Sequence, residues 1–128
     1  MDIEAIMLSG IARRVLDELL HNPYRTIEVR SARNVEALER AEAGGKLFLT
    51  YDSAEDIHVG TEGLVVELLR VEEMETRIPW EESDEREVTV CRAQVRLVGL
   101  GRIMEIRREG NVTKVRIREL MPHEMSMG

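Results

Sequence analysis

The stretch Arg25-Thr26-Ile27-Glu28-Val29-Arg30 decides how the chain is read. As a strand it sends Thr26, Glu28 and Arg30 to one face and Arg25, Ile27 and Val29 to the other. The apolar pair can then enter a core while the polar trio stays together. A carboxylate set among forked cations at fixed offsets suits a planar, hydrogen-bonding ligand such as a base or nucleotide.

Upstream of this strand, residues 3–8 form a short apolar run that fits a strand, and Ser9 is placed to cap a helix. Ile11, Val15, Leu16, Leu19 and Leu20 recur at helical spacing, with Arg13, Arg14, Asp17 and Glu18 opposite them. That pattern predicts a helix lying against a sheet. Asn22-Pro23 stops it.

Downstream, a second helix is expected over residues 34–41 with Val35 and Leu38 pointing inward. Gly44-Gly45 turns the chain into residues 46–51, a strand apolar enough to be buried on both faces or to form a barrel wall. A single turn covers residues 53–57. Strands are then expected over 63–77, 88–98 and 102–108, and Gly110-Asn111 closes a hairpin into 112–120. Six or seven short strands with two helices in the N-terminal half predict an α+β fold, a small mixed β-barrel.

At 128 residues and 43% hydrophobic content the expectation is one domain, residues 1–120, followed by a flexible tail, residues 121–128. No run reaches the roughly 18 to 20 apolar residues of a membrane helix, and Met1-Asp2-Ile3-Glu4 lacks the basic start of a secretory signal. A soluble, cytoplasmic protein is expected. The net charge of −7 argues against wrapping duplex nucleic acid, which needs a broad positive surface. Of the 18 basic residues, only Lys46 and Lys114 are not arginine, so positive charge comes as planar, forked donor sets.

Other chemistry finds less support. Cys91 sits among apolar neighbours and reads as a small buried hydrophobe. His21, His58 and His123 lie far apart, so neither a metal site nor a cofactor is expected. Gly60-Thr61-Glu62-Gly63 opens a strand where a phosphate loop would need a helix. The acidic connection around Trp80 reads as solvated surface. Lys114, Arg116 and Arg118 share one strand face, and Arg92 and Arg96 another. These read as ordinary solvated faces balanced by Glu105, Glu109 and Glu119. Aromatic residues make up 3% of the chain, so stacking platforms for single strands are nearly missing.

The order of parts (amphipathic helix, tight break, the Arg-Thr-Ile-Glu-Val-Arg strand, a glycine turn, then Lys46-Leu47-Phe48-Leu49-Thr50) resembles the ASCH branch of the PUA-like superfamily. Arg25, Thr26, Glu28 and Arg30 match its motif strand, Gly44-Gly45 replaces the usual Gly-Asp, and beyond Glu62 only the strand pattern carries the likeness. The run from His21 to Asn34 is also similar to a family of archaeal proteins of unknown function. The resemblance implies an ASCH-type PUA-like barrel that binds RNA or a modified nucleoside beside the motif strand. Enzymatic ASCH members resembling acetylcytidine amidohydrolases place a lysine and a nucleophilic threonine in this strand. Here Arg25 and Glu28 occupy those positions, so that chemistry is expected to be absent.

The expected function is therefore RNA or nucleotide binding by Arg25, Thr26, Glu28 and Arg30, with Arg33 and Asn34 extending the rim. One alternative is a hydrolase of a small amide or nucleoside, with Glu28 as general base and Arg30 orienting an oxyanion. That role calls for a raised carboxyl pKa. Another is an interaction module pairing through a barrel edge or a methionine-bearing surface. The plainest alternative is an exposed Glu28–Arg30 pair linked to Arg13 or Arg33, worth about 0 to 1 kcal/mol.

Overall fold

The computed structural model describes residues 2–79 and 85–121, with side chains described over 2–74 and 89–121. The connection around Trp80 and residues 122–128, expected to be a solvated loop and a flexible tail, lie outside the described residues. The order of elements is β1 (Asp2–Leu8), α1 (Arg13–His21), β2 (Tyr24–Val29), α2 (Ala32–Arg40), β3 (Lys46–Leu49), β4 (Glu62–Pro79), β5 (Glu85–Glu109) and β6 (Val112–Leu120). The class is α+β, a mixed six-stranded sheet with both helices in the N-terminal half. No helix among the described residues is long and apolar enough to cross a membrane.

The strands run β2-β5-β4-β3-β1-β6, and β5 also pairs with β6. Among the described residues the ladder therefore closes on itself through β1, β3, β4, β5 and β6, while β2 hangs on β5 alone. Among the described residues β1 and β3 are the one parallel pair, with Met7 beside Phe48.

Each ring strand turns one face inward, and where the helices cover the outer face the strand is buried on both, as β3 shows. Leu47 and Leu49 enter a core that takes in Leu19, Ile27, Val29, Leu38, Leu68 and Val95 beneath the helices. Phe48 enters a second core with Met7, Val65, Ile103, Val115 and Ile117. Leu47, Phe48 and Leu49 are all 0% exposed, as expected for a run apolar at successive positions.

Four sequence expectations change. Ser9 does not cap α1. Gly10 takes a positive φ of 64°, and the N–H groups of Gly10 and Ile11 donate to Asp52 and Thr50 carbonyls. The chain is thus tied to the end of β3, and the helix starts only after Ala12. Leu20 lies 48% exposed rather than in the apolar stripe, where Leu19 alone is fully covered. The second helix starts earlier than expected because Ser31 caps it, its Oγ accepting from the Asn34 N–H at 3.2 Å.

The two strands expected over 88–98 and 102–108 are one continuous β5 of 25 residues. Gly99 and Gly101 are not breaks. A Cβ on Gly101 would stand 2.3 Å from Ile117 Cγ2 and 3.0 Å from Val65 Cγ2. This glycine is where the ring wall packs too closely for a side chain.

Candidate functional site

The helix α1 and strand β2 converge on one side of the ring, and the turn from β2 into α2 completes a cleft. Its volume is about 680 Å³, and all six residues predicted for the site line it: Arg25, Thr26, Glu28, Arg30, Arg33 and Asn34. The opposite wall is the segment from Ser9 to Val15, and the loop at Ser53, Ala54 and Glu55 closes the end. The alternation expected of β2 is observed, with Ile27 and Val29 buried and Thr26 and Glu28 exposed.

The six residues play different parts. Glu28 is clamped from two sides: the Arg30 guanidinium donates to Oε2 at 3.1 Å, and Arg92 Nε donates to Oε1 at 3.2 Å. The hydrogen bond from Arg92, then that from Arg30, holds its carboxyl below the usual glutamate range. This direction is the opposite of the raised pKa expected for a general base at Glu28. The clamp also corrects the expected partners of the pair. Arg13 instead stacks over the Tyr51 ring, 4.4 Å from its centroid, and Arg33 reaches Glu55 at 3.6 Å.

Arg25 lies on the other face of β2, as the alternation requires, and pairs with Glu18 of α1. Its Nε is buried without a partner among the described residues. Asn34 is structural in its contacts: its Oδ1 accepts from the Ser9 N–H at 3.1 Å and its Nδ2 donates to the Ser9 carbonyl at 2.9 Å. This amide fastens the start of α2 to the end of β1 and fixes the corner where the two cleft walls meet.

Sequence reasoning missed Arg14, Ile11 and Val15 across the cleft. Arg14 is loosely held, 4.0 Å from Glu18. Ala12 at the N-cap has no side-chain cap, so the first turn of α1 adds its uncompensated N–H dipoles at this end of the cleft. The signal for these residues was the positive-φ glycine at position 10, which turns the chain back toward β2.

Four arginines and two glutamates line the cleft. Elsewhere on the described surface the expected basic stripes are neutralised: Arg96 pairs with Glu67, Arg116 with Asp2 and Glu105, and Lys114 with Glu109. Cys91 is fully buried. Among the described residues no cluster of histidine, cysteine or carboxylates could hold a metal ion.

The family model described as "Protein of unknown function (DUF473)" matches residues 3–117. An uncharacterised protein of Methanocaldococcus jannaschii, MJ0105, is 26% identical over 98 residues, 77% of this chain and 63% of that protein. Among solved structures, the N-terminal domain of a Mycobacterium avium complex Lon protease superposes with a TM-score of 0.51 at 16% identity. That match covers 98% of this chain and 58% of the other. The chain thus spans less than two thirds of the length of either protein, and the second likeness shows the fold alone. The archaeal relative agrees with the resemblance drawn from residues 21–34. Since the family model runs from β1 to β6, the chain belongs to the DUF473 family of proteins of unknown function.

Proposed function

We propose that the protein binds RNA or a nucleotide-like ligand in the cleft between β2 and α1, as an ASCH-type PUA-like barrel acting in the cytoplasm. One observation carries the reading: six residues picked from sequence pattern and resemblance line a single cleft, and that cleft is arginine-rich in a chain of net charge −7. Phosphate oxygens suit the forked guanidinium groups of Arg14, Arg30 and Arg33. The acidic remainder of the surface limits the footprint to a few nucleotides. The Glu28 carboxylate, its pKa lowered by Arg92 and Arg30, accepts hydrogen bonds from ring or exocyclic N–H groups.

Fluorescence anisotropy with labelled tRNA and with nucleoside monophosphates tests this. Glu28→Ala, Arg30→Ala and Arg33→Ala are expected to weaken binding severalfold with little loss of melting temperature. Lys114→Ala, remote from the cleft, leaves it unchanged. Equal affinity for wild type and all the cleft variants would refute the proposal.

A further inference from the structure

The cleft is lined by every residue from Arg25 to Arg30 without interruption. Side chains of a strand alternate between faces, so an unbroken run borders a cleft only where the strand's edge, its main chain, faces it. Strand β2 has such an edge, because among the described residues it pairs with β5 and with nothing else.

The phase of that edge follows from one hydrogen bond. The Leu97 N–H donates to the Pro23 carbonyl at 2.7 Å. In an antiparallel ladder, opposed pairs alternate between exchanging main-chain hydrogen bonds and exchanging none. The register from Tyr24 opposite Arg96 to Val29 opposite Cys91 has no shift. Arg25, Ile27 and Val29 therefore spend their main-chain groups on β5, and Tyr24, Thr26 and Glu28 aim theirs away from it. The Tyr24 N–H agrees, since it goes to Asn22 Oδ1 at 3.4 Å rather than to β5. Among the described residues nothing hydrogen-bonds the outward N–H and C=O of Thr26 and Glu28. Open strand edges are ordinarily blunted; this one opens into an arginine-lined cleft.

Resting on the nucleotide-binding reading, we propose that this edge reads an unpaired nucleobase. Each outward residue offers one N–H donor and one C=O acceptor side by side. That pair complements the acceptor and donor adjacent on a base's pairing edge, such as O4 and N3–H of uracil or N1 and the N6 amine of adenine. In a duplex those groups are already used, so the cleft takes a monomer or a single-stranded nucleotide. Ala12 and Val15 supply apolar surface beside the edge. Arg14 and Arg33 hold the phosphate, and the Glu28 carboxylate repels it from the middle of the strand, which orients the ligand.

The test is titration of the ¹⁵N-labelled protein with uridine 5′-monophosphate, its N3-methyl analogue, adenosine 5′-monophosphate, ribose 5-phosphate and an acidic tetrapeptide. The unmethylated nucleotides are expected to move the Thr26 and Glu28 amide resonances. They should bind about tenfold more tightly than ribose 5-phosphate or the methylated analogue, the worth of one net hydrogen-bonded pair. If all the phosphates bind equally and the two amides stay still, the main-chain inference falls while an anion-binding cleft survives. If no nucleotide binds, the proposed function falls with it. If only the peptide moves the amides, the edge is a peptide-pairing strand and both proposals are overturned.

Discussion

Glu28 of β2 and Arg92 of β5 stand directly opposite each other in the sheet, and Arg92 Nε donates to Glu28 Oε1 at 3.2 Å. A cross-strand pair of opposite charge is the local unit that joins neighbouring strands. Here it also lowers the pKa of the central carboxylate in the cleft.

That pairing has a pH signature. The folded pKa of Glu28 is lowered, so its contribution is present above the ordinary glutamate pKa and is lost as pH falls through the folded value. Carboxyl-detected NMR should place the Glu28 midpoint below that of an unperturbed glutamate, and Arg92→Ala should raise it. A midpoint indifferent to Arg92 would contradict the geometry.

The Asn34 amide is a stability element. In Asn34→Ala the Ser9 N–H and carbonyl lose their partners at a part-buried corner. The cost should be about 1–3 kcal/mol in urea unfolding. Asn34→Asp keeps an acceptor for the N–H but sets a carboxylate against the Ser9 carbonyl, so it should not restore the loss. Wild-type stability in both variants would remove this amide from the account of the fold.

Two glycines of β5 should respond in opposite ways. Gly101→Ala forces a methyl against Ile117 and Val65 and should cost about 1–3 kcal/mol, whereas Gly99→Ala meets nothing within 4 Å. The second change should fall within about 0.5 kcal/mol of wild type. Thermal melts of the pair decide the matter, and equal melting temperatures would count against the tight wall at Gly101.

Cys91 is fully buried, and burial first, then the charges of Glu73 and Glu39, push its thiol pKa up. It should resist a charged aromatic disulfide reagent in the native protein and react promptly once denaturant is added. Rapid native labelling would place the thiol outside the core.

Local pattern made much of this visible in advance. The alternation in β2 and the unbroken apolar run of β3 each state which faces are covered, and the structure covers them accordingly. The start of α1 was misread because a capping serine is a local signal. The hydrogen bonds that delay the helix instead come from Thr50 and Asp52, distant in sequence. The break expected between residues 98 and 102 falls at Gly99 and Gly101, and in sequence a glycine that ends a strand and one that lets two walls meet read alike. Arg92 as partner of Glu28 could not be read at all: their separation of 64 residues is bridged only by strand pairing.

The closed ladder also constrains how the chain folds. Its seam joins β1 to β6, with Asp2 opposite Arg118, so although β1 can pair with β3 earlier, the ring closes only after almost the whole described chain has been made. Contacts this distant delay folding, because loop-closure entropy is spent before the pairing returns anything. The hairpin β5–β6, closed by a tight turn at Gly110, is the natural early element, and docking of β1 on β6 the late one. Until that docking, the core around Phe48, Ile103 and Ile117 has an open side, and the nascent protein is most exposed to aggregation.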